Sequence, residues 1–182
     1  MIGFYLFWCL GYLALHLWLA QKWPRNHFSQ PSSYRDQLIT LVIPFRNESR
    51  NIPKLASEIA KINSDHLEVL LVDDQSEDDS WQLASTHFRE MVGVRLAKSL
   101  GVGKKAALSH GIFLAQGEII LTSDADCEFP EAWPKKMASA FSDFNVQLVA
   151  GPVLSKETGN AFFQKFQLIE WCSILLMTQF YF

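Results

Sequence analysis

Glu118-Ile119-Ile120-Leu121-Thr122-Ser123-Asp124-Ala125-Asp126-Cys127 is the stretch on which the reading of this chain turns. Its apolar run has the length and composition of a buried strand, and it ends on two carboxylates one residue apart. Hard cations such as Mg²⁺ and Mn²⁺ take oxygen ligands, and Mg²⁺ is usually held by one or two carboxylates while phosphates and waters complete its shell. Asp124 and Asp126 are therefore a candidate metal-diphosphate site. Taken alone, the same residues are more often a strand running into an acidic turn, so the rest of the chain has to decide.

Working outward, short apolar runs alternate with helical periodicity from residue 38 onward, the pattern of a mostly parallel sheet flanked by helices. The spacing predicts strands over residues 38–43, closed by Pro44, then 67–72, 94–97, 118–122 and 146–149. Between them, Ile52, Leu55, Ile59 and Ile62 share one helical face, with Pro53 placed in the first turn. Further helices carry Trp81, Ala84 and Phe88, then Ala106, Leu108, Ile112 and Leu114, then Trp133, Met137, Ala140, Phe141 and Phe144.

In open α/β sheets, ligands bind beyond the carboxyl ends of the strands. Arg46-Asn47-Glu48 follows the first strand, Asp73-Asp74 the second, Gly103-Lys104-Lys105 the third and Asp124-Ala125-Asp126 the fourth. Each is explicable alone as a helix-terminal carboxylate or a solvated turn. Together they suit one phosphorylated, metal-bound ligand. Asp73 or Asp74 is placed to accept an imide N–H of a base such as uracil, Glu48 to reach base or ribose hydroxyls, and Lys104 to supply a point charge to a diphosphate. The Gly-x-x-x-x-Gly-Lys-Ser/Thr spacing of a Walker loop is absent. His87 and His110 have no ligand partner at useful spacing and are expected to be structural or exposed.

The chain has 182 residues and a formal net charge of -3, so it can hold one domain and lacks the basic footprint of a nucleic-acid binder. Cys9, Cys127 and Cys172 form no disulfide or zinc pattern. Residues 1–21 contain no Asp, Glu, Lys or Arg, and about 20 apolar residues span a bilayer core, which predicts a transmembrane anchor over residues 1–22. Lys22, Arg25 and Arg35 follow it, so the positive-inside rule expects a single N-terminal pass with the bulk of the chain cytoplasmic. A cleaved signal peptide is the competing reading, disfavoured by the absence of a basic start and a small-residue cleavage site. Residues 23–37 read as a polar linker. Residues 156–182 are aromatic and helical in period yet retain Lys165 and Glu170. They are expected to form an apolar helix that lies in the membrane interface, packs on the sheet, or is an unfinished span. The chain stops in an apolar run without cap or polar tail, which suggests truncation.

Four ordered motifs resemble those of glycosyltransferase family 2, the GT-A-fold enzymes, and especially its membrane-bound members. Ile43-Pro44-Phe45-Arg46-Asn47-Glu48 is similar to that family's Pro-x-x-Asn-Glu, and Val72-Asp73-Asp74-Gln75-Ser76 to its Val-Asp-Asp-x-Ser. Gly103-Lys104-Lys105-Ala106-Ala107-Leu108 resembles Gly-Lys-x-x-Ala-Leu, and Asp124-Ala125-Asp126 resembles Asp-x-Asp. Val149-Ala150-Gly151-Pro152-Val153 also resembles a family segment, and the likeness runs from about Leu38 to Val153. Arg46 stands where many members have Tyr. The family's Glu-Asp base motif and the Gln-x-x-Arg-Trp motif of its processive members do not occur before Phe182.

The resemblance implies a GT-A, Rossmann-like domain over residues 38–155 that binds a nucleotide sugar, UDP-linked by expectation, and transfers the sugar with inversion to a hydroxyl of a glycan or lipid. It implies nucleotide binding by Pro44, Glu48, Asp73, Asp74, Lys104 and Asp124, and a divalent cation, Mg²⁺ or Mn²⁺, on Asp126 and Asp124. The catalytic base is expected beyond Phe182. This chain would then carry the donor half and be inactive alone. The alternatives are a metal-dependent nucleotidyltransferase and a non-catalytic, membrane-tethered nucleotide-binding fragment.

Overall fold

The computed structural model describes residues 2–21, 37–151, 153 and 161–179. Residues 22–36, which hold Lys22, Arg25, Arg35 and all of the expected 23–37 linker but its last residue, lie outside them, as do Met1, Pro152 and residues 154–160 and 180–182. The chain divides into two compact units, one of residues 30–149 and one joining residues 1–29 to 150–182.

The first unit is built on a four-stranded parallel sheet in the order β3-β2-β1-β4, where β1 is Ile39–Phe45, β2 Leu67–Asp73, β3 Val94–Lys98 and β4 Ile119–Thr122. Every residue of β1 and β2 is buried, which is why they read as continuous apolar runs rather than alternating ones. Helices α2 (Ile52–Ile62) and α3 (Ser80–Phe88) pack on one face through Ile52, Leu55, Ile59, Ile62, Ala84 and Phe88. Pro53 does sit in the first turn of α2, where its missing N–H costs nothing. Helix α4 (Lys104–Leu114) packs on the other face, against Val42, Leu70 and Val72.

This placement follows from the order of the strands. The chain runs outward from β1 to β2 and β3, then returns across the sheet to β4 on the far side of β1. Right-handed crossovers put helices of opposite direction on opposite faces. The reversal makes a topological switch point between β1 and β4, where a crevice opens at the carboxyl ends.

Four expectations are corrected. β1 continues through Pro44 to Phe45, because Pro44 lies past the end of β4, whose last residue Thr122 partners Val42. The Ser123 amide donates to the Val42 carbonyl, so even-numbered residues of β1 turn their backbone groups to that side, and no ladder bond is lost at Pro44. Residues 146–149 form no strand: the Val146 amide turns back to the Asp143 carbonyl and Leu148 is exposed, so the segment pairs with nothing in the sheet. In α4 the buried residues are Ala107 and Gly111, while Ile112 is exposed. A Cβ on Gly111 would come within 2.4 Å of Val42 Cγ1, so the lack of a side chain, rather than an apolar one, lets the helix seat. The helix after β4 is short, α5 (Trp133–Ser139) followed by a 3-10 turn at Ala140–Ser142, and leaves Phe144 exposed beyond it.

The second unit contains α1 (Ile2–Gln21) and α6 (Ala161–Gln179). Tyr12 Oη donates to Glu170 Oε1 at 2.6 Å, joining the two helices, and Trp171 Nε1 donates to the Val153 carbonyl. No helix among the described residues is long and apolar enough to cross a membrane, so the transmembrane anchor expected over residues 1–22 is not found among them. All three cysteines are free.

Candidate functional site

The carboxyl-end crevice is a cleft of about 220 Å³ lined by Pro44, Phe45, Arg46, Glu48, Asp74, Lys104, Asp124, Ala125 and Asp126. All four strand ends contribute. Pro44 and Phe45 are the tip of β1, and Glu48 follows in the turn into α2, where its Oε2 accepts from Asn51 Nδ2 at 2.6 Å. Asp74 follows β2, held by its own amide to the Phe45 carbonyl at 2.8 Å. Its Oδ1 accepts the Gly103 amide at 2.7 Å. Gly103 has φ 96°, a conformation that side chains other than glycine's resist, and this bend starts α4 with Lys104 directed into the cleft.

Lys104 Nζ lies 2.5 Å from Asp124 Oδ1, across the gap between the ends of β3 and β4. Asp124 and Asp126 flank Ala125, whose small side chain is buried in the core, so both carboxylates are turned to the exposed rim. The loop that follows is fastened to α2. The Phe129 amide donates to Glu58 Oε2 at 3.1 Å, and Lys54 pairs with Glu128 at 2.7 Å. Lys61 beside Glu58 holds that carboxyl below its ordinary range, with the Phe129 amide acting in the same direction against burial.

Of the residues singled out from the sequence, Pro44, Glu48, Asp74, Lys104, Asp124 and Asp126 meet in this cleft. Asp73 does not line it. It is buried at the end of β2, and its Oδ1 accepts the Ser76 amide at 3.1 Å, shaping the turn that presents Asp74. His110 is structural, its Nδ1 accepting the Leu100 amide. Sequence reasoning passed over Phe45 as a wall residue, Glu58 as the anchor of the acidic loop, and Asp78. The Asp78 carboxylate is held down at about 2 by the Ser80 hydroxyl and then, against some burial, by the Ser49 hydroxyl and the Ser80 and Ser49 amides. The signal for such residues is weak, because a polar residue in a loop is unremarkable until its partner is known.

No group of three or more His, Cys, Asp or Glu side chains placed to hold a metal ion exists among the described residues. The donor set nevertheless fits a hard cation that arrives with a phosphorylated ligand. Two adjacent carboxylates open to solvent leave room for phosphate oxygens and waters, as Mg²⁺ requires.

The chain is 33% identical over 118 residues to an undecaprenyl-phosphate 4-deoxy-4-formamido-L-arabinose transferase of Aeromonas hydrophila, covering 60% of this chain and 36% of that protein. It thus spans little more than a third of the length of the curated relatives it matches. Its fold is shared with a mannosyltransferase from Pyrobaculum calidifontis solved in complex with GDP-Man and Mn²⁺, with a TM-score of 0.61 and 24% identity over 73% of this chain and 41% of the other. S. aureus TarS in complex with UDP-GlcNAc is similar at a TM-score of 0.50, with 22% identity over 64% of this chain and 37% of that one. Residues 40–181 match the family model described as glycosyl transferase family 2, and the chain belongs to that family.

Proposed function

We propose that this chain carries the donor-binding half of an inverting glycosyltransferase that moves a sugar from a nucleoside diphosphate to a lipid-borne acceptor. The observation that carries the reading is the meeting of Glu48, Asp74, Lys104, Asp124 and Asp126, from four strand ends, in one cleft. Asp74 has one oxygen committed to Gly103, which leaves the other for a ring N–H of the base. Glu48 faces the ribose hydroxyls, Pro44 walls the nucleoside, and Asp73 acts behind Asp74 through the Ser76 amide. Lys104 leaves Asp124 to meet the diphosphate as a compact cation. Asp126, with Asp124, would hold Mg²⁺ or Mn²⁺. Bound there, the cation neutralises charge on the leaving diphosphate.

The names of the relatives favour a polyisoprenyl phosphate as acceptor. A phosphate monoester is already anionic at neutral pH, with its second pKa near about 6, so its oxygen attacks the anomeric carbon without a base. The bond from that carbon to the diphosphate breaks as the new bond forms on the opposite face, releasing the nucleoside diphosphate. A hydroxyl acceptor would instead need a general base to take its proton. A lipid acceptor also accounts for the exposed apolar side chains of α1 and α6, among them Phe4, Phe7, Trp8, Phe163, Phe166 and Trp171. We place these helices at a lipid surface.

The test is calorimetric titration of the full chain with UDP, GDP and pyrophosphate, with and without Mn²⁺. The reading expects UDP to bind more tightly than GDP and Mn²⁺ to strengthen both. Absence of nucleoside diphosphate binding by the folded chain overturns it.

A further inference from the structure

Between the first two strand ends lies a set of contacts that the chemistry above does not use. Asn47 and Gln75 are the non-glycine residues with left-handed backbone among the described ones, at φ 54° and 56°. Asn tolerates this region better than most residues, yet the conformation persists only where its surroundings enforce it. Here they do. The Asn47 amide donates to Ser76 Oγ at 3.0 Å, and Asn47 Oδ1 accepts the Glu77 amide at 2.8 Å. Asn47 is thus tied across the gap between the turns in both directions, as donor to Ser76 and as acceptor from Glu77. Two further bonds flank it: the Ser49 amide to Asp78 Oδ2 at 3.3 Å, and Arg46 Nη2 to Glu77 Oε1 at 3.1 Å.

Glu48 sits between Asn47 and Ser49, so the backbone on both sides of it is fastened to the segment after β2. Ser76 is in turn joined to Asp73, next to Asp74. We infer that Asn47 and Ser76 are positioning residues that clasp the two turns together, setting Glu48 and Asp74 at a fixed separation for nucleoside recognition. The inference rests on the donor-site reading above. The clasp touches neither Lys104 nor Asp126 and reaches the diphosphate end only at one remove, through the bond from the Gly103 amide to Asp74, so its loss bears first on the nucleoside end.

That difference between the two ends separates a positioning role from a merely structural one. Asn47→Gly keeps the left-handed backbone accessible but removes the carboxamide, and Ser76→Ala removes the other half of the clasp. Each full-length variant is titrated with UDP and with inorganic pyrophosphate, both in Mn²⁺. UDP affinity should fall at least about fivefold, the worth of one hydrogen bond, while pyrophosphate affinity stays within about twofold. Ser76→Thr, which retains the hydroxyl, should restore UDP binding, and the double variant should lose less than the product of the two single losses. Should Asn47→Gly fail to fold, Ser76→Ala makes the same comparison. Equal losses for UDP and pyrophosphate, or no loss of either, overturn the clasp while leaving the donor site standing. A parent chain that binds pyrophosphate but not UDP overturns the donor reading and the clasp with it.

Discussion

Lys104 Nζ lies 2.5 Å from Asp124 Oδ1, so the cation that follows β3 is held by a carboxylate that follows β4. Both side chains are more than half exposed, at 60% and 53%. An ion pair in that setting adds little to stability, because solvent screens it and two long side chains lose freedom in making it. Lys104→Met should therefore shift the unfolding free energy by no more than about 0.5 kcal/mol. Pyrophosphate affinity should fall clearly in the same variant. Urea unfolding and calorimetry on one preparation check both halves.

Gly111 is a packing residue. A methyl group there would meet Val42 Cγ1 at 2.4 Å and Val72 Cγ2 at 3.0 Å, both on stiff, buried, β-branched side chains. Gly111→Ala normally favours a helix, but overpacking of a dense core costs about 1–3 kcal/mol and should win. The expected result is a lower urea midpoint with an unchanged slope.

Glu68 of β2 joins β1, β3 and the loop that leads into β4 at the opposite end of the sheet. Its Oε2 accepts from Thr40 Oγ1 at 2.6 Å and from the Gln116 amide at 2.9 Å, and its Oε1 pairs with Arg95 at 2.5 Å. Burial pushes this carboxyl up, but Thr40, Gln116 and Arg95 together outweigh it and hold the pKa below the ordinary value. Glu68→Ala should cost about 2 kcal/mol, less than a fully buried pair because Arg95 remains partly hydrated. Unfolding of Glu68→Ala against parent measures it.

Much of this architecture is legible in the sequence because it rests on local signals. β1 and β2 read as unbroken apolar runs because both of their faces are covered, and the residues that follow each strand must reach the carboxyl end of a parallel sheet. Residues 146–149 show the limit of that logic: four apolar-rich residues suit a strand, but pairing depends on whether the chain is brought alongside an edge of the sheet, which no local pattern reveals. Gly111 is hidden for a related reason, since helical periodicity marks apolar side chains and not the position where packing needs none. Asp73 and Asp74 are adjacent and chemically identical, and only the turn through Ser76 sends one to the cleft and the other into the interior. The clasp at Asn47 is invisible for the same reason, because its partners lie 29 and 30 residues away.

Acid stability should expose Asp78. Its carboxyl is lowered from 3.8 to about 2 in the folded chain, foremost by the Ser80 hydroxyl. A lowered folded-state pKa means that the contribution is fully present above about pH 4 and is lost as pH falls through about 2. Asp78→Asn cannot gain a proton in that window, so its stability should fall less steeply with acid than the parent's. Urea unfolding between those pH values compares the slopes.

Asp126 tests the central claim most directly, because it separates a metal-diphosphate site from an acidic turn. Asp126→Asn preserves size and turn geometry while removing the charge, and the side chain is exposed, so folding should be unaffected. The measurement is calorimetric titration of UDP into parent and variant with and without Mn²⁺. The account predicts that Mn²⁺ strengthens UDP binding in the parent and no longer does so in Asp126→Asn. A folded Asp126→Asn whose UDP affinity responds to Mn²⁺ as the parent's does would contradict it.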